Sequence, residues 1–143
     1  MDWTGLPTRE SILESTAYRT DMEYDALNRP TLVTLPEDAL GTRSELVPTY
    51  NRAGAVESLS LDGTAHIRHI AYNAKGQRIL AAYGNGIMTR HAYDPVNFRL
   101  LRQRSEPYDH PPGGGQPYTY AFQGGVRQDC AYAYDQNLRN CSR

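Results

Sequence analysis

An all-β chain, a strip of antiparallel β-hairpin repeats, is what this sequence predicts, and three observations predict it. A tyrosine followed by Asp or Asn, with Gly or Asn three residues later, recurs along the chain. Asp-Gly and Asn-Gly pairs sit between stretches of alternating polarity. Helix signals are confined to one weak candidate, Thr8 to Ser15.

The recurring motif reads Tyr24-Asp25-Ala26-Leu27-Asn28, Tyr50-Asn51-Arg52-Ala53-Gly54, Tyr72-Asn73-Ala74-Lys75-Gly76 and Tyr93-Asp94-Pro95-Val96-Asn97. The leading tyrosines are 26, 22 and 21 residues apart. A degenerate copy starts at Tyr134-Asp135, 41 residues on, a step that suggests two further periods. Self-similarity at such a period marks a repeat architecture. Each head carries a turn mechanism. Gly and Asn reach the left-handed backbone region at least cost, which assigns that conformation to Asn28, Gly54, Gly76 and Asn97. The Asp or Asn after the tyrosine accepts hydrogen bonds from backbone two residues on, as an Asx-turn.

Between the heads, strands are expected over 55–61, 64–72, 77–83 and 87–93, with an extended lead over 16–24. Asp62-Gly63 and Asn85-Gly86 are expected to close hairpins through type I′ turns, which need positive φ at two consecutive residues. The organisation that follows is a lead-in over 1–15, repeats over 16–104, a Pro/Gly-rich loop over 105–117, and a degenerate repeat with tail over 118–143. Tyr24, Tyr50, Tyr72 and Tyr93 are expected to form a stacked ladder.

Composition narrows the function classes. Of 143 residues 39% are hydrophobic, and the aromatic set is 11 Tyr against 2 Phe and 1 Trp. Tyr packs through its ring and tolerates water at its hydroxyl, so it suits half-buried layers more than one thick core. The net charge of -1 argues against nucleic acid as the main partner. No apolar run approaches the ~20 residues of a membrane span. The N-terminus lacks the basic and apolar regions of a secretory signal. Cys130 and Cys141 could pair across their short spacing, but the more economical reading is two thiols of no defined role.

Candidate chemistry is weak throughout, and no metal, cofactor or catalytic residue is expected. His66 and His69 would lie on opposite faces of a strand, out of reach of one ion. Gly84-Asn85-Gly86 lacks the third glycine and the following helix of a dinucleotide loop, and Gly113-Gly114-Gly115 has no Lys-Ser/Thr after it. Glu37-Asp38 reads as a solvated turn, and the Asp25–Asp94 pair is explained by turn geometry. Arg99, Arg102 and Arg104, with Lys75, Arg78 and Arg90, form a mildly basic region that reads as solvated strand faces.

One stretch is more specific. Ile70-Ala71-Tyr72-Asn73-Ala74-Lys75-Gly76-Gln77-Arg78, followed by Tyr83-Gly84-Asn85-Gly86, Thr89-Arg90, Tyr93-Asp94-Pro95 and Phe98-Arg99-Leu100, resembles the YD-repeat, or RHS-repeat, family. It looks most like the repeat region of the B-type shell components of bacterial insecticidal toxin complexes. The resemblance implies an open segment of a larger hollow shell that encloses a toxic polypeptide, with no catalytic residues of its own. Implied partners are adjacent repeats of a longer chain or a partner shell subunit, together with the enclosed toxin. It also implies a secreted or cell-surface location within a larger bacterial protein. The alternative is a cell-surface adhesion module that binds carbohydrate or protein through its tyrosines. On either reading the chain is expected to be a piece of a longer array, since a few hairpins leave strand edges unpaired.

Overall fold

The computed structural model describes residues 17–109, 120–134 and 141–142. Eight strands follow one another as a meander: β1 (Asp21–Tyr24), β2 (Pro30–Glu37), β3 (Arg43–Tyr50), β4 (Val56–Leu61), β5 (Thr64–Tyr72), β6 (Arg78–Tyr83), β7 (Ile87–Tyr93) and β8 (Leu100–Asp109). Beyond them lie β9 (Ala121–Phe122), β10 (Gln128–Ala131), β11 (Ala133–Tyr134) and β12 (Cys141–Ser142). β1 to β8 pair in sequence order, β10 and β9 both pair β8, and β11 pairs β12. The result is a ten-stranded antiparallel open sheet, as the alternating sequence predicts.

β9 and β10 form one interrupted partner of β8. Phe122 opposes Tyr108 and Gln128 opposes Ser105, with both pairs antiparallel. Between them the Gln123 amide donates to the Pro107 carbonyl and the Arg127 amide to the Ser105 carbonyl. Gly124, at φ 90°, turns the chain through the bulge.

Two expectations need correction. Residues 105–109 are strand, not loop, because Leu100–Asp109 runs through Pro107. The proline contributes its carbonyl to Gln123, and the neighbouring Tyr108 amide supplies the bond to the Gly86 carbonyl. The strands β2 and β3 also tolerate prolines, Pro36 and Pro48, at positions that sequence reading left unassigned. Among the described residues the long step from Tyr93 to Tyr134 holds one repeat rather than two, with β8 and its interrupted partner between them in the main sheet. The helix candidate Thr8 to Ser15 lies outside the described residues.

Burial is concentrated where β5 to β8 meet. Ile70, Ala81, Ala82, Met88 and Tyr108 are the buried apolar residues. Tyr120 packs on this cluster, edge-on to Tyr108 at 5.3 Å and stacked on His69 at 5.7 Å. Over β1 to β4 every described residue is half-buried or exposed. A thin apolar layer is what a Tyr-rich chain of low mean hydropathy can build.

One glycine in this region is fixed by packing. A Cβ on Gly84 would lie 1.7 Å from the Ala65 carbonyl oxygen. Its amide donates to the His66 carbonyl, which brings the β6–β7 turn against β5.

Candidate functional site

The odd-numbered strands β1, β3, β5 and β7 each end in a motif tyrosine, so the motif turns all fall along one edge of the sheet. Each turn repeats the same bonds. The Asp25 carboxylate accepts from the Leu27 amide at 2.8 Å and the Arg29 amide at 3.0 Å. Asn51 Oδ1 accepts from Ala53 and Ala55 at 2.9 and 3.0 Å, and Asn73 Oδ1 from Lys75 and Gln77, both at 3.0 Å. The left-handed residue that closes these turns is Asn28 at φ 59°, Gly54 at 81° or Gly76 at 76°.

The fourth turn departs from the expected form. Asp94 accepts from the amides of Val96 and Asn97, but the left-handed residue is Phe98, at φ 62°. The loop is one residue longer, closing from the Asp94 amide to the Arg99 carbonyl. Asn97 uses its side chain instead, accepting from the Arg99 amide at 3.0 Å. Phe98 is held in this costly conformation from the preceding repeat: Lys75 Nζ lies 3.1 Å from its ring centroid and Gln77 Nε2 donates to its carbonyl at 2.8 Å.

On the opposite edge, Asp62-Gly63 has two positive φ values, 49° and 74°, as a type I′ turn requires. Asn85-Gly86 does not, because only Gly86 is positive, at 80°. Its amide closes onto the Tyr83 carbonyl, which makes Gly84 and Asn85 the central residues of a turn followed by a glycine bulge. Glu37-Asp38, read as a solvated turn, proves to be another Asx device. Asp38 accepts from the Leu40 and Thr42 amides, and Gly41 has φ 74°. The spacing from Asp38 to Gly41 equals that from Asn51 to Gly54, so the signal was present without its tyrosine.

The tyrosines form a series of hydroxyl-to-carbonyl bonds, which sequence reading did not foresee. Tyr50 donates to the Pro30 carbonyl at 2.8 Å, Tyr72 to Val56 at 2.9 Å, Tyr93 to Arg78 at 3.0 Å and Tyr134 to Leu100 at 2.9 Å. Each acceptor is the first residue of the strand that leaves the previous motif turn. The hydroxyl therefore sews one turn to the next along the edge. The expected ring-on-ring ladder is absent among the described residues. Arg29 lies 4.6 Å from the Tyr50 ring centroid and Arg99 lies 5.2 Å from that of Tyr134, while Tyr93 stacks on His91. Tyr24, at the first strand, bonds to the Met22 sulfur. Asp135 lies outside the described residues.

Electrostatics follow the same geometry. The Arg29 side chain, then backbone amides, hold the Asp25 carboxyl below its ordinary pKa. Backbone amides of Asn97 and Val96 do so for Asp94, and the Glu45 amide does so for Asp62. His69 is shifted down by burial, against an opposing pull from Glu57.

The remaining candidates yield no catalytic constellation. His66 is exposed, whereas His69 is half-buried with Nε2 3.9 Å from Glu57. Among the described residues, no group of three or more His, Cys, Asp or Glu is placed to hold a metal ion. Likewise, no helix is long and apolar enough to cross a membrane. The side chain of greatest interest outside the motifs is Glu106, fully buried and ion-paired to both Arg90 and Arg104.

With this geometry established, comparison with known proteins is specific. The chain is 33% identical to the toxin subunit YenC1 of Yersinia entomophaga and 29% identical to YenC2, each match using 94% of this chain. It is similar to toxin-complex subunits. No family model matches it. Among solved structures, a Photorhabdus luminescens Tc holotoxin pore superposes at a TM-score of 0.60 with 27% identity over 82% of this chain. The crystal structure of TcdB2-TccC3-TEV superposes at 0.63 with 26% identity over 94%. The chain spans 13% of the length of the two Yersinia subunits, and 5% and 6% of the two solved chains.

Proposed function

We propose that this chain is a non-catalytic wall segment of an RHS/YD-repeat toxin shell that encloses a toxic polypeptide. The observation that carries this reading is the series of tyrosine-to-carbonyl bonds. It repeats a single edge contact from turn to turn, as wall construction requires, and converges on no shared pocket. Similarity to Tc-toxin subunits over 94% of the chain supports the reading. On it, the motif positions Tyr24, Asp25, Asn28, Tyr50, Asn51, Gly54, Tyr72, Asn73, Gly76, Tyr93, Asp94 and Asn97 are architectural. The partners are neighbouring repeats and the enclosed chain, and the assembled protein is secreted or displayed at the cell surface.

Protease protection tests this directly. In the full polypeptide that carries these residues, with its partner subunits, a segment other than the wall should resist trypsin. It should become cleavable when Gly84→Ala opens the wall. Equal cleavage of the whole polypeptide before and after opening contradicts enclosure.

A further inference from the structure

We propose that the recess over Ala92 on one face of β6, β7 and β8 binds carboxylates of an acidic polypeptide segment. From Leu80 to Ala82 on β6, from Ile87 to Ala92 on β7 and along β10 the pairing runs without register shifts, so the face can be followed residue by residue. Leu80 opposes Arg90, Arg90 opposes Arg104, and Arg104 opposes Asp129. Ala92 opposes Arg102, whereas the bulge at Ile79 turns Arg78 to the other face. The recess, of about 260 Å³, is lined by Arg90, His91, Ala92, Arg102 and Arg104. A methyl group at its floor leaves the room that a longer side chain would fill.

Charge in this patch is ordered but unmatched. Three guanidinium groups, of Arg90, Arg102 and Arg104, face two carboxylates, Glu106 and Asp129, which leaves one positive charge uncompensated. Glu106 is fully buried and shared: Arg90 Nη2 pairs with one oxygen and Arg104 Nε lies 2.9 Å from the other. A buried acid that anchors two arginines from beneath fixes their position, and among the described residues their outer N–H groups have no carboxylate acceptor besides Glu106, while Arg104 also lies 5.8 Å from the Phe122 ring centroid. The side chains of Arg90 and Arg104 are 50% and 33% exposed.

The same patch shows how a polypeptide carboxylate is held. Arg102 grips Asp129 of β10 through two bonds, Nε to Oδ1 at 2.7 Å and Nη2 to Oδ2 at 2.5 Å. Planar guanidinium forks match carboxylates bidentately. The spare donors of Arg90 and Arg104 offer the same chemistry to an incoming Asp or Glu. This inference concerns a surface, and does not depend on the enclosure reading.

The test is fluorescence anisotropy with a labelled hexaglutamate peptide, using the full polypeptide that carries these residues at fixed ionic strength. Saturable binding is expected, weakened about tenfold by Ala92→Leu, which fills the recess, and again by the charge-neutral pair R102Q/D129N. Ala92→Leu removes no paired group, so its melting temperature should match the parent and keep the test valid if the double variant fails to fold. Absence of saturation, equal affinity in Ala92→Leu, or displacement by inorganic phosphate as effective as by unlabelled peptide would each overturn the proposal.

Discussion

The Tyr72 hydroxyl donates to the Val56 carbonyl at 2.9 Å, joining the end of β5 to the start of β4 and the third motif turn to the second. A half-buried hydroxyl that completes a backbone acceptor contributes about 0.5–1.5 kcal/mol net. Tyr72→Phe keeps the ring and removes the bond. Chemical denaturation should show a loss near 1 kcal/mol, with Tyr50→Phe and Tyr93→Phe similar in size. No change in any of the three would mean that the rings alone, and not the hydroxyls, tie the turns together.

Two glycines should respond differently to the same change. Gly76 needs its left-handed φ of 76° but faces open space. Gly76→Asn should therefore stay within about 0.5 kcal/mol of the parent, and Gly76→Ala should cost about 1 kcal/mol. Gly84 has no room, since any Cβ meets the Ala65 carbonyl. Gly84→Ala forces the β6–β7 turn off β5 and should cost several-fold more than Gly76→Ala. Thermal melts of the three variants rank these effects.

Acid should loosen the motif turns unequally. The carboxyls of Asp25 and Asp94 have lowered pKa values in the folded chain. Their contribution is present above the ordinary carboxylate pKa and disappears as pH falls through the lower folded value. Asn51 and Asn73 make the same backbone bonds without a charge. Hydrogen exchange of the Arg29 amide should therefore accelerate on acidification relative to the Gln77 amide, after correction for intrinsic rates. Asp25→Asn should remove the difference.

His69 gives a second pH dependence at milder acidity. Burial lowers its pKa from the ordinary 6.5, so the neutral ring is favoured in the folded state. Its contribution is present above 6.5 and is lost as pH falls below that value toward the folded one. The Tyr120 contact should weaken over this range. Tyrosine fluorescence or exchange in β9 should report it, and His69→Gln should flatten the profile.

Core packing offers a check on the thin layer. Met88 is 1% exposed at the centre of the Ala82–Tyr108 cluster. Met88→Ala should cost about 2–5 kcal/mol. Val47→Ala, at a residue 37% exposed, should cost far less.

Much of this architecture was legible because turn chemistry is local. Asp25, Asn51 and Asn73 with Asn28, Gly54 and Gly76 announce their turns through residue type and spacing alone. The fourth turn escaped because Pro95 and one extra residue shift the left-handed position to Phe98, a strain tolerated through Lys75 and Gln77 of another repeat. Pro107 hid the end of β8, since a missing amide reads as a break until the partner of the carbonyl is known. The hydroxyl series and the buried Glu106 depend on strand register, which no local pattern encodes. Asp38-Gly41 was within reach of the sequence, had the turn been sought without its tyrosine.

Cryo-electron microscopy of the full polypeptide with its partner subunits tests the central claim most directly. The account predicts a closed hollow shell whose wall contains β1 to β8 as consecutive strands. In that wall the Tyr50, Tyr72 and Tyr93 hydroxyls should lie within hydrogen-bond distance of the Pro30, Val56 and Arg78 carbonyls. An open sheet that encloses nothing, or one whose strands pair in another order, would contradict it.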